Sequence, residues 1–182
     1  MQTGSATAGT AGARAMDEET LHFIQGMFEL VRAGDIRQLR SLVEKGAPTN
    51  FRNQRGDSLI MLASYHGHLE VANLLLEHGA DPSVANDMGQ TPLAGAAFKG
   101  NVAMVMALLD HGASVESPGP DGKTALMFAA MFNRVAIIEL LVQRGARVDA
   151  RDVKGMTALD YAKAMGAGDA EAVLGRLMEA GQ

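Results

Sequence analysis

The chain of 182 residues contains no cysteine and no tryptophan. Without thiols there can be no disulfide, no thiolate metal site and no cysteine nucleophile, and a reducing cytoplasm is the expected compartment. Aromatics make up only 4% of the residues, two Tyr and six Phe, so the interior has to be assembled from Leu, Val, Ile, Ala and Met. No apolar run approaches the roughly 18 residues needed to cross a bilayer as a helix. Basic residues are in the minority, 16 Lys and Arg against 21 Asp and Glu, for a net charge of −5. That balance argues against nucleic acid and acidic membranes as partners, since both select basic patches. Residues 1–15 lack the apolar stretch of a secretory signal. A disordered tail is expected over residues 1–19, with Met16, ahead of Asp17, Glu18 and Glu19, as a possible natural start.

Glycine, by contrast, is abundant and ordered. Gly56, Gly89, Gly122 and Gly155 stand 33 residues apart, and Gly46, Gly79, Gly112 and Gly145 follow the same step. A third series runs through Gly34, Gly67, Gly100, Asn133 and Gly166. Three series in phase mean one supersecondary unit stacked several times. Residues 86–118 show its content. Thr91 before Pro92 is a helix start, because a hydroxyl caps the first turn and proline is tolerated at the first helical position. The spacing predicts a short helix from Pro92 to Lys99, ended by Gly100, and a second from Val102 to Asp110, with Val102, Val105, Leu108 and Leu109 on one face. Gly112 closes it, and an extended turn leads to the next unit.

The pattern divides the chain into an N-terminal cap (20–52), repeats at 53–85, 86–118 and 119–151, and a C-terminal cap (152–182). The end units depart from it, as units with one face in water must. G-x-T-P-L at 89–93, the Ala96–Ala97 pair and the L-L-x-x-G-A closures resemble the ankyrin repeat, and G-H-L-E-V-A-N-L-L-L-E-H-G-A-D at 67–81 is similar to its consensus. The resemblance covers about residues 20–180. It implies an all-α solenoid of stacked helix pairs with β-turn fingers, and a concave surface of fingers and first helices that grips a partner protein. The family usually places a histidine after Thr-Pro-Leu, where it ties adjacent turns together. Met61, Ala94, Met127 and Asp160 stand there, so a less rigid array is expected.

Little in the chain suggests chemistry. Of the five histidines, His66 and His68 are the nearest pair, and no third ligand converges on them by spacing, whereas a metal needs three or four. His78 and His111 precede terminating glycines, where a cation favours the helix C-terminus. Asp57, Asp81, Asp87, Asp121 and Asp152 fall in turns, where Asp usually bonds backbone. There is no phosphate-binding glycine loop and no nucleophile elbow. No enzymatic activity and no cofactor are expected.

The informative rungs are those that vary. In the register the resemblance implies, the ends of the first helices present Tyr65, His66, Phe98, Lys99, Met131, Phe132 and Met165 to the concave side. The fingers add Arg55, Asp57, Met88, Gln90, Asp121, Lys123, Lys154 and Met156. These residues form either core between the helices or an exposed apolar stripe with a basic rim. A contiguous exposed stripe usually marks an interface, and the basic rim suits an acidic partner. The expected function is a protein–protein interaction module, monomeric alone, acting as adaptor, inhibitor or regulatory or protective subunit. The resemblance also permits an effector delivered into a host. A metal- or haem-binding protein using His66, His68 and methionines, and a self-assembling structural protein, are the other classes.

Overall fold

The computed structural model describes residues 17–180, which form ten helices and no named strand. They come in five antiparallel-packed pairs. The first members are α1 (Glu18–Ala33), α3 (Leu59–His66), α5 (Pro92–Lys99), α7 (Ala125–Met131) and α9 (Ala158–Met165). The second members are α2 (Ile36–Glu44), α4 (Leu69–Glu77), α6 (Val102–Asp110), α8 (Val135–Gln143) and α10 (Gly168–Ala180). First helices pack on neighbouring first helices and second on second, so the core runs the length of the array between two layers. The chain therefore folds as the all-α solenoid its period implies.

Local chemistry sets each boundary. Ser58, Thr91, Thr124 and Thr157 all have extended backbone and accept a hydrogen bond from the N–H three residues on, the N-cap geometry of Ser and Thr. Pro92 occupies the first turn of α5, which ends at Lys99 before left-handed Gly100. At the other end of the pairs, His78 and His111 are C-cap residues, and their Nδ1 atoms lie 2.9 Å from the carbonyl oxygens of Leu74 and Ala107. Small residues let the helices approach: Ala63, Ala96, Ala97, Ala129, Ala130 and Ala162 are all fully buried.

Of the tail expected over 1–19, residues 17–19 belong instead to the start of α1. Asp17 caps α1 by accepting from the Thr20 N–H at 2.7 Å, and Glu18 and Glu19 form the first turn, where acidic side chains suit the helix dipole. Residues 1–16 lie outside the described residues.

Between the pairs, four fingers reach out, at residues 45–58, 78–91, 111–124 and 144–157. Three of them are closed by one side chain accepting two finger N–H groups. Asn53 accepts from Arg55 and Asp57, Asn86 from Met88 and Gln90, and Asp152 from Lys154 and Met156. In the third finger the corresponding position is Gly119, and Asp121 accepts one N–H, from Lys123, instead.

These fingers are also tied to one another without the family histidine. The Asp87 N–H donates to the Arg55 carbonyl at 3.1 Å and the Val153 N–H to the Asp121 carbonyl at 3.0 Å. The Asn86 amide donates to the Asp57 carboxylate at 2.8 Å. Asp160 does not bridge units at all: its carboxylate returns to Thr157 in a capping box. His68 supplies a cross-unit tie elsewhere, its Nε2 lying 2.9 Å from the Arg32 carbonyl oxygen.

Candidate functional site

The first helices and the fingers place their variable residues along one face. Tyr65 is 56% exposed, Phe98 40% and Phe132 38%, with Met88 at 67% and Met165 at 58%. Phe98 and Phe132 meet edge to face, ring centroids 4.6 Å apart, across the α5–α7 boundary. Phe98 is the penultimate residue of α5 and Phe132 is the C-cap of α7. The Lys99 ammonium sits over the Tyr65 ring at 4.3 Å, a cation–π contact that steers both side chains. His66 lies edge-on to Tyr65 and stacks on His68, with centroids 5.9 Å apart. Loss of solvent around the His66 ring, and then the charges of His68, Arg32 and Lys99, hold its pKa below the usual histidine value.

Other positions read from the sequence behave differently. Met131 and Met156 are half-buried and pack against the core, so they support the face more than they form it. Asp57 is buried, bound by the amides of Asn53 and Asn86 and paired with Arg55 at 3.3 Å. It is a strut between two fingers, not a group open to a partner, because its lone pairs are already taken. Gln90 is exposed but gives its side-chain oxygen to the Asn86 amide. Lys123 pairs with Asp121 and approaches the Tyr161 ring at 5.7 Å, leaving its side chain only 17% exposed. The Asp121 carboxylate is held below, and the Lys123 ammonium above, its usual range by that bond. Lys154 is exposed on the fourth finger.

Across the units at 53–85, 86–118 and 119–151 this face sinks into a groove of about 820 Å³. Its walls include Tyr65, Met88, Phe98, Pro120 and Phe128, with Ala94 and Gly95 on the helix side. The sequence reading did not anticipate the groove. Its signal lies in the row next to the missing-histidine position: Leu62, Gly95, Phe128 and Tyr161 occupy equivalent positions, and one of the four has no side chain.

Among the described residues no three His, Asp or Glu side chains gather as a metal site would. No helix there is long and apolar enough to cross a membrane.

Comparison with known proteins fits this architecture. The family model for ankyrin repeats, built of three copies, matches residues 27–119 and 115–175. A Pseudomonas aeruginosa protein named as an ankyrin repeat protein is 52% identical over 59 residues, which is 32% of this chain and 34% of that relative. The match thus spans about a third of the length of that curated relative. Ankyrin repeats generally serve as protein–protein interaction modules and are typically non-catalytic. With the family match extending over most of the chain and the stacked helix pairs agreeing, this chain belongs to the ankyrin repeat family.

Proposed function

We propose that this chain grips a partner protein through its concave finger and first-helix face, as a non-catalytic adaptor, inhibitor or regulatory or protective subunit. The observation that carries this reading is the partly exposed apolar stripe of Tyr65, Phe98 and Phe132, with the two Phe rings in contact. Exposed aromatic surface at the centre of a face is where binding energy concentrates, and an adaptable Met rim suits a shaped partner. Lys99 and Lys154 on the same side of an acidic chain favour a partner with acidic groups. The cytoplasm is the proposed compartment, with the chain monomeric until the partner binds.

The test is to replace Phe98 and Phe132 together with Ala and measure affinity for a partner recovered with the native chain. Each truncation should weaken binding by about 2 kcal/mol or more while the helical signal is retained. Undiminished affinity in a folded variant would remove the stripe as the interface.

A further inference from the structure

Two neighbouring positions on α5 are cut back relative to every other unit. The row through Met61, Ala94, Met127 and Asp160 holds Ala at α5, and the row through Leu62, Gly95, Phe128 and Tyr161 holds Gly. Leu62 and Phe128 both line the groove, and so do Ala94 and Gly95 between them. The missing volume is therefore open to the concave side.

The fold itself does not require this glycine. Gly95 lies within a regular helix and has no left-handed φ. A Cβ added to it would meet nothing within 4 Å, so no backbone or side chain presses on the site. Glycine inside a helix costs about 0.5–1 kcal/mol relative to alanine. The chain thus carries a helix-weakening residue at the point where its concave face is open, and none of its own described side chains occupies the space. Contrast Gly89, where a Cβ would fall 2.3 Å from the Pro120 ring: there the fold does demand glycine.

Charge around the groove indicates what it would accept. Arg55 is paired with Asp57 and Lys123 with Asp121. Among the described residues Lys99 makes no ion pair; it is parked over Tyr65, which lines the groove. A carboxylate arriving beside Tyr65 would find an ammonium already oriented and unneutralised. The apolar wall is formed by Leu62, Met88, Phe98, Phe128 and the Pro92 and Pro120 rings, beside the polar Ser64, Asn86, Gln90 and Thr91. We propose that the Ala94–Gly95 gap receives a bulky apolar side chain, Leu or Phe, from an exposed segment of a partner protein, and that an Asp or Glu next to it in that segment pairs with Lys99. This rests on the reading of the concave face as the binding face, and adds the chemistry of the segment it recognises.

Displayed random dodecapeptides selected on the full native chain supply the probe. Selected peptides are then synthesised and their affinities measured by fluorescence polarisation. Gly95→Leu and Ala94→Met install residues that neighbouring units already carry at the same positions, and circular dichroism melts check that each variant folds. The expected peptides share Leu or Phe beside Asp or Glu. They should lose about tenfold or more in affinity, roughly 1.4 kcal/mol, on either filling variant. They should also lose affinity on Lys99→Glu and weaken as salt rises. Peptides lacking that pattern, equal affinity for both filling variants, or no enrichment at all would overturn the proposal. Peptides that bind the filling variants normally yet fail on the Phe98→Ala, Phe132→Ala variant would sink the groove assignment alone and leave the concave face as the interface. Peptides indifferent to all of these changes would sink both.

Discussion

Asn133 stands where the third glycine series breaks, and its backbone keeps the left-handed turn with φ of 53°. Asn tolerates that region better than most residues with a side chain, and here the side chain is used. Its Oδ1 accepts from the Ala170 N–H at 2.8 Å and its Nδ2 donates to Asp169 at 3.0 Å, fastening the start of α10. Asn133→Gly should keep the turn and lose the cap, at about 1 kcal/mol. Asn133→Ala should lose the cap and add left-handed strain, so urea midpoints should rank wild type, then Gly, then Ala. Equal midpoints for Gly and Ala would mean the strain is absent. A second residue-scale effect is acid sensitivity. The Tyr161 hydroxyl donates to Asp152, and the Thr157 N–H and hydroxyl donate to Asp160; both carboxyls are held below the usual Asp range. A lowered folded pKa contributes stability above the unfolded value of about 3.9 that disappears as pH falls through the folded value. His66, also lowered, contributes above its unfolded value of about 6.5 and loses that contribution as pH falls toward its folded value. Stability should thus decline in two steps from pH 7 downward. His66→Gln should remove the upper step and Asp152→Asn should shrink the lower one. A pH-independent urea midpoint in the native chain would contradict both assignments.

At the scale of elements, the fingers are not equally joined. The first and second share a backbone bond and the Asn86–Asp57 bond, and the third and fourth share the Val153–Asp121 bond. At the second-to-third junction the equivalent donor would be residue 120, a proline without an N–H, and residue 119 is a glycine without a side chain. What joins them is the Pro120 ring lying against Gly89, with one bond from the Ser114 N–H to the Ser83 hydroxyl at 3.2 Å. The missing histidines lead to the expectation of a less rigid array; Asn86, Asp57 and backbone pairs replace the histidine tie at the other junctions and leave the second-to-third one with the fewest bonds. Amide exchange should be faster in the third finger, at Gly119, Gly122 and Lys123, than at Asp57 or Met156. Gly119→Asn, restoring the acceptor that Asn53 and Asn86 provide, should slow it and raise stability by about 1 kcal/mol. Uniform exchange across the four fingers would refute the joint. Helix limits were readable because caps are local: Thr91, Pro92 and Gly100 fix α5 within their own turn. The burial of Asp57 is not legible from its finger position, because its partner, Asn86, is 29 residues away and no local pattern reveals the bond.

On the scale of the whole molecule, the period sorted side chains by face, because side chains at one repeat position must share a side of the solenoid, and the resemblance to the family supplied which face is the candidate interface. It did not separate residues that form the face from those beneath it. Met131 and Phe132 are adjacent, yet one packs inward and the other is open, a difference set by where α7 ends. The groove was hidden for a related reason: it is made by what α5 lacks, and its lining comes from three units at once. The same two-layer plan divides the chain's tyrosines. With no tryptophan, only Tyr65 and Tyr161 dominate its near-ultraviolet emission. Tyr161 is buried with its hydroxyl on Asp152, while Tyr65 stands open under Lys99 at the edge of the groove. The protein therefore carries a label-free optical reporter at its candidate interface, and an internal reference buried on α9, without a single added dye.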